Sequence, residues 1–299
     1  MFRKILFPTD FSECSDKAFD YIMGLKDVGV HKVVIVHVLK AEEEFPVTLT
    51  IKDKAKIRFK DMEEALKRHG MDIESTVELG NPASEILKAA DFYNVSMIVM
   101  GCHGKGLLEE VMLGSVSDQV VKESKVPVLV VRCKVLEGIK EENVEEYSAE
   151  SFKRILFPVD FSFCSTRALD FVRRLKDAGS REVTLAHVVD NRYLFPYRAK
   201  QAKVEAEKRL EVYRKELEER GMKAKVKVPV GVPIDELIRL ADKEDSSLIV
   251  MGSHGKSFVR EVFLGSVSEN MIRQAKIPVL VVHDDVSDWD YDEDKQIKR

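Results

Sequence analysis

Residues 100–117 read MGCHGKGLLEEVMLGSVS, and residues 251–268 read MGSHGKSFVREVFLGSVS. Each stretch ends an apolar run, opens with Gly-x-x-Gly and reaches Gly-Ser after nine further residues. Two copies of one glycine pattern imply two copies of one site. Outward from these stretches the correspondence continues. Lys4 to Ser12, KILFPTDFS, matches Arg154 to Ser162, RILFPVDFS, at an offset of 150, and beyond about residue 80 the offset is 151. A one-residue difference therefore lies between His37 and Gly80 or between His187 and Gly231, which a surface connection tolerates.

A chain of 299 residues divides comfortably into two domains. The reading is a first domain over 1–133, a linker over 134–151, a second domain over 152–284 and a flexible tail over 285–299. Hydrophobic residues make up 44% and charged residues 33%, the balance of a soluble globular protein. The net charge is −4 with acids and bases interspersed, so no broad basic field exists to hold nucleic acid. No apolar stretch approaches the roughly 20 residues that span a bilayer, and a cytoplasmic location is expected. Cys14, Cys102, Cys133 and Cys164 show no CxxC or Cys/His metal spacing.

Within each half, a strand at 5–7 or 155–157 is stopped by proline, and an apolar helical face follows behind Ser12 or Ser162 as N-cap. A β-branched run follows at 33–38 or 183–189, of the sort covered on both faces. A charged amphipathic helix then ends at Gly70 or Gly221. Alternation at Ile73, Ser75 and Val77, and at Val226, Val228 and Val230, predicts a third strand nearer an edge. Pro82 and Pro233 suit the first turn of a third helix. Strands at 96–100 and 247–251 precede the glycine pattern, a fourth helix starts at Ser115 or Ser266, and strands at 128–131 and 279–282 close each half.

Five strands alternating with helices define an α/β protein of two tandem doubly wound, five-stranded parallel-sheet domains, Rossmann-like or flavodoxin-like in winding. In such domains ligands bind beyond the carboxyl ends of the strands where the winding reverses, here the first and fourth. Asp10 and Gly101 follow those strands in the first half, and Asp160 and Gly252 in the second.

Glycines after a strand let backbone N–H groups approach an anion, and the helix start beyond adds further N–H groups and its dipole. Phosphate is the natural guest, with Lys105 or Lys256 able to lend charge. The plain alternatives are turn-forming glycines, and Asp10 and Asp160 as helix-capping carboxylates. Gly255-Lys256-Ser257 imitates the end of a P-loop, but a Walker motif needs four residues between its glycines. Here there are two, so a Walker-type ATPase is rejected. His37 and His187, inside apolar strands, read as core histidines.

Pro8-Thr9-Asp10, the His37-Val38 strand end and Gly101-x2-Gly104-x9-Gly114-Ser115 resemble the nucleotide-binding universal stress proteins. The second half resembles them as fully, through Pro158-Val159-Asp160, His187-Val188 and Gly252-x2-Gly255-x9-Gly265-Ser266. The resemblance covers about nine-tenths of the chain and implies the adenine-nucleotide alpha-hydrolase-like variety of the fold. It implies ATP or AMP in each half, with Mg²⁺ accompanying ATP. Asp10 and Val38 would then meet the adenine, and Pro8 and Thr9 would line its pocket. Met100, Gly101, His103 and Gly104 would contact ribose and phosphate, and Gly114, Ser115, Val116 and Ser117 would hold phosphates. The corresponding residues are Asp160, Val188, Pro158, Val159, Met251, Gly252, His254, Gly255, Gly265, Ser266, Val267 and Ser268. Cys102 opposite Ser253 and Thr9 opposite Val159 predict sites of unequal affinity.

The apolar final strands would invite pairing if left bare; the resemblance implies that these edges pair two domains antiparallel, so with the duplication an intramolecular pseudo-dimer of the two halves is expected, and further homodimerisation of the whole chain is expected with it. The leading functional expectation is an adenine-nucleotide-binding stress sensor or regulator. A slow ATPase or nucleotidyl transferase is the alternative, without a carboxylate pair or nucleophile–base pair to support it. A purely structural interaction module with vestigial sites is the third.

Overall fold

The computed structural model describes residues 2–40, 47–102, 113–192, 195–253 and 264–283. Strands β1 (Lys4–Pro8), β2 (Lys32–Leu39), β3 (Asp72–Leu79), β4 (Met97–Gly101) and β5 (Val128–Val131) form the first half of the sheet. The second half contributes β6 (Arg154–Pro158), β7 (Glu182–Ala186), β8 (Lys223–Lys227), β9 (Leu248–Gly252) and β10 (Val279–Val282). Their order across the sheet is β3-β2-β1-β4-β5-β10-β9-β6-β7-β8. Each half is thus Rossmann-wound and parallel within itself, with the reversal between β1 and β4, or between β6 and β9.

The halves join where the apolar closing strands meet. β5 and β10 pair antiparallel with Leu129 opposite Leu280, so neither strand is an edge, and the edges fall to β3 and β8. Both pairing strands are buried throughout. Arg132, just past β5, donates to the Ala275 carbonyl across the junction at 2.9 Å, and His283, just past β10, bonds the Val121 carbonyl at 2.6 Å.

Alternating strand residues divide the core into two layers. Ile5, Phe7, Leu129 and Leu280 face the layer covered by α1 (Glu13–Met23), α2 (Val47–Arg68), α7 (Phe163–Arg174) and α8 (Pro196–Glu219). Leu6, Val128, Val130 and Val279 face α3 (Pro82–Phe92), α4 (Ser115–Glu123), α9 (Pro233–Lys243) and α10 (Ser266–Gln274). Each layer runs continuously through both halves. The helix signals act as predicted: Ser12 and Ser162 accept from Ser15 and Ser165 N–H groups, and Pro82 and Pro233 stand in first turns. Gly70 and Gly221 take left-handed φ of 69° and 79° just past the second helices, where a Cβ would be strained.

Two stretches differ from the sequence reading. β7 stops at Ala186 instead of running to Val189, and β8 stops at Lys227, short of the predicted Val228 and Val230, leaving only an isolated Val189–Val230 bridge. Pro229 stands in its partner segment, without an N–H to donate, and the ladder breaks there. The segment over 134–151 is more than a connecting turn, since it carries α5 (Cys133–Glu137) and α6 (Val144–Glu150). α6 lies on Gly24 at the end of α1, and the Tyr147 ring meets Tyr21 edge-on, with centroids 6.2 Å apart. The one-residue length difference also narrows. Buried Ala55, Phe59 and Leu66 match Ala206, Leu210 and Leu217 at an offset of 151, so it lies ahead of Ala55. The predicted tail over 285–299 lies outside the described residues.

Candidate nucleotide site

Parallel pairing between β1 and β4 is confined to Ile5–Met97 and Leu6–Ile98, although both strands run on, to Pro8 and Gly101. The same happens between β6 and β9 after Leu156–Ile249. The sheet therefore parts at each winding reversal, and the predicted residues gather around the opening. Thr9 follows β1 and bonds across to β2, its N–H donating to the Val36 carbonyl at 2.9 Å. Val38, near the end of β2, and Val188, just past β7, are half-buried.

On the far wall, Gly114 N–H donates to the Cys102 carbonyl, and Gly265 N–H to the Ser253 carbonyl, each at 2.9 Å. These bonds close the base of the glycine segment. Ser117 Oγ donates to the Gly101 carbonyl and Ser268 Oγ to the Gly252 carbonyl, each at 3.0 Å. Both serines are buried; their hydroxyl protons brace the helix start against the strand end, a role that sequence reading assigned to phosphate contact. Gly114 and Gly265 cap α4 and α10 without a side-chain hydrogen bond, so the first-turn N–H groups of Ser115, Val116, Ser266 and Val267 present the positive end of each helix. His103, Gly104 and Lys105, with His254, Gly255 and Lys256, lie outside the described residues.

Gly252 has a packing role as well. A Cβ there would come within 3.1 to 3.2 Å of the Cys164 backbone and Cβ, so the close approach of α7 to β9 favours glycine whether or not an anion binds.

The opposite wall depends on a strained residue. Phe11 and Phe161 adopt φ of 57° and 60°, a left-handed conformation that costs an L-residue about 1–2 kcal/mol. It turns the chain so that Ser12 N–H donates to Asp10 Oδ1 at 3.0 Å and Ser162 N–H to Asp160 Oδ1 at 2.9 Å. The two carboxylates are thereby fixed at the rim by local turns, and the helix caps themselves are Ser12 and Ser162. The Phe11 ring lies 4.5 Å from the His37 ring and 5.8 Å from Phe59, and Phe161 lies 4.7 Å from His187. His37 Nδ1 sits 2.7 Å from the Thr9 carbonyl and His187 Nδ1 2.6 Å from the Val159 carbonyl, which selects the tautomer with its proton on Nδ1. Both histidines are structural ties between neighbouring strand ends.

Sequence reading missed two arginines here. The Arg58 guanidinium lies 5.6 Å from the Phe11 ring centroid and pairs with Asp16 at 2.5 Å. Arg209, at the matching position of α8, lies 3.8 Å from the Phe161 centroid. Thr166 stands where Asp16 stands in the first half, so the second site lacks that carboxylate. Equal offsets in the two outer helices were the available signal, but only the fold brings those helices to Phe11 and Phe161. Thr9 Oγ1 accepts from Phe11 N–H at 3.1 Å and from Ser15 Oγ at 2.7 Å. Val159 offers neither bond, and Ser165 Oγ turns to the Ser162 carbonyl.

Together these features define a class: tandem Rossmann-wound domains, each with a crevice at its winding reversal and an uncapped helix start facing it. Comparison with known proteins makes the assignment particular. The profile described as "Universal stress protein family" matches residues 1–132 and 151–283, and the chain belongs to that family. The chain is 37% identical to the universal stress protein MJ0577 of Methanocaldococcus jannaschii, over 44% of this chain and 94% of that one. It is 32% identical to the universal stress protein YxiE of Bacillus subtilis, over 44% of this chain and all of that one. Among solved structures, a universal stress protein from Archaeoglobus fulgidus matches 95% of this chain and 99% of its own, with a TM-score of 0.75 and 27% identity. Among the described residues no helix is long and apolar enough to cross a membrane.

Proposed function

We propose that each half binds an adenine nucleotide, ATP or AMP, and that occupancy of the two sites makes the protein a sensor or regulator in the stress response. The observation that carries this reading is the parting of β1 from β4, and of β6 from β9, opposite an uncapped helix start. A crevice at a winding reversal takes a flat base between strand ends, while free N–H groups at a helix start take phosphate. In the first half the adenine lies toward Pro8, Thr9, Asp10 and Val38, and the phosphates toward Gly101, Gly114, Ser115 and Val116. Pro158, Val159, Asp160, Val188, Gly252, Gly265, Ser266 and Val267 do the same in the second. Mg²⁺ would accompany ATP and offset phosphate charge.

Membership of the family supports the stress-response role, and the intact glycine segments in both halves support two working sites. Denaturing the purified protein and identifying what it releases by mass spectrometry tests the ligand. An adenine nucleotide is expected, at up to two equivalents per chain. Release of a different small molecule in stoichiometric amount would overturn the assignment.

A further inference from the structure

Three of the four cysteines, far apart in sequence, meet beside the first site. β4 and β5 pair with Gly101 opposite Val131, so Cys102 and Cys133 leave adjacent strand ends. Cys14, in the first turn of α1, neighbours both the Cys102 and Cys133 thiols, and Cys133 Sγ lies 3.5 Å from Glu137 Oε1 on α5. Lys17 reaches Glu13 at 2.7 Å and Glu137 at 3.3 Å, clamping α5 onto α1 around this cluster. Cys14 and Cys102 are buried and Cys133 is half-exposed. The second half has no such cluster: its matching positions are Cys164, Ser253 and Asp284.

We propose that this cluster is an oxidisable site, in which a hydroperoxide couples Cys102 to Cys14 and Cys133 relays the resulting disulfide toward solvent. The hydrogen bond with Cys14, joined by the Cys133 amide and Arg132, outweighs burial and holds the Cys102 thiol below its usual range. Burial pushes Cys133 up to about 12, so of these two sulfurs Cys102 is the readier to ionise, and the attack is assigned to it. Its thiolate takes one peroxide oxygen as the O–O bond breaks, giving a sulfenic acid, while the other oxygen leaves with the Cys102 proton, as water from hydrogen peroxide or as the alcohol from an organic hydroperoxide. The Cys14 sulfur then attacks the Cys102 sulfur. The S–O bond breaks, the S–S bond forms, and a water departs carrying the Cys14 proton. The two sulfurs together lose two electrons and the hydroperoxide gains them. Attack of Cys133 on Cys14 then transfers the bridge outward and regenerates the Cys102 thiol.

The bridge ties the first turn of α1 to the residue whose carbonyl holds Gly114. On the nucleotide-binding reading above, oxidation therefore changes affinity at the first site and leaves the second alone. The thiol chemistry needs no nucleotide, so it is tested without one. The reduced full-length chain is treated with near-equimolar hydrogen peroxide, alkylated and mapped by non-reducing digestion. The four thiols should fall to two, with Cys14 bridged to Cys102 or to Cys133, Cys164 fully alkylated, and a phosphine restoring all four. Cys102→Ser, the residue that the second half carries, should abolish the bridge while leaving the fold intact by circular dichroism. Equal oxidation of Cys164, a Cys133-linked dimer with Cys102 still reduced, or an unchanged bridge in Cys102→Ser would each overturn the proposal.

Discussion

Gly24→Ala is expected to lower stability by about 3 kcal/mol, while Arg174→Ala, at the matching position of the second half, shifts it by no more than about 0.5 kcal/mol. Gly24 has φ of −75° and ψ of −11°, a conformation open to any residue, so the cost is steric alone. A Cβ there would lie 1.9 Å from Ser148 Oγ, 2.1 Å from the Glu145 carbonyl and 2.9 Å from the Ala149 nitrogen. Two of those atoms are backbone and cannot rotate away, so α6 has to lift from α1. That movement loosens buried Val144 and Leu136 and the Tyr21–Tyr147 contact. Arg174 is solvent-exposed, and among the described residues no connecting helix covers it. Denaturant midpoints of the two variants, fitted with a common slope, make the comparison. Equal shifts would mean that α6 does not dock on Gly24 in solution.

Gly114→Val is expected to weaken nucleotide binding in the first half at least tenfold, about 1.4 kcal/mol, and Gly265→Val to do the same in the second. Gly114 has φ of −60° and ψ of 145°, and Gly265 has φ of −62° and ψ of 143°. Valine adopts such angles without strain, and the N–H that bonds the Cys102 or Ser253 carbonyl is retained. The added side chain occupies space in front of the helix start, where a phosphate would approach its N–H groups. Valine is also a poorer N-cap than glycine, by about 1 kcal/mol, so thermal unfolding of both variants serves as the control. Loss of one binding event from each variant, with unfolding nearly unchanged, is the expected pattern. Undiminished binding in both would place the ligand elsewhere.

The fold was legible because its signals are local and doubled. Pro8 and Pro158 stop strands, Ser12 and Ser162 cap helices, and the apolar strands at 128–131 and 279–282 are too hydrophobic to stand as edges. β7 escaped full reading because Pro229, the residue that shortens it, lies on the segment past β8, far from β7 in sequence. The connecting segment looked like a linker since its charged composition hides Leu136, Val144 and Ser148, which are buried where α5 and α6 pack on the first half, α6 at Gly24. At the site, Asp10, Gly101 and Gly114 could be read from spacing. The left-handed Phe11, Arg58 above its ring and the meeting of Cys14, Cys102 and Cys133 could not. Each of these depends on elements brought together across the fold.

Differences between the halves now have positions. Thr9 corresponds to Val159, Cys102 to Ser253, and Asp16, paired with Arg58, to Thr166, while Arg209 matches Arg58. These bear directly on a calorimetric titration of the reduced full-length chain with ATP. Two binding events per chain with distinct affinities are predicted, and a titration with no binding, or with a single event that neither Gly114→Val nor Gly265→Val removes, would contradict the account.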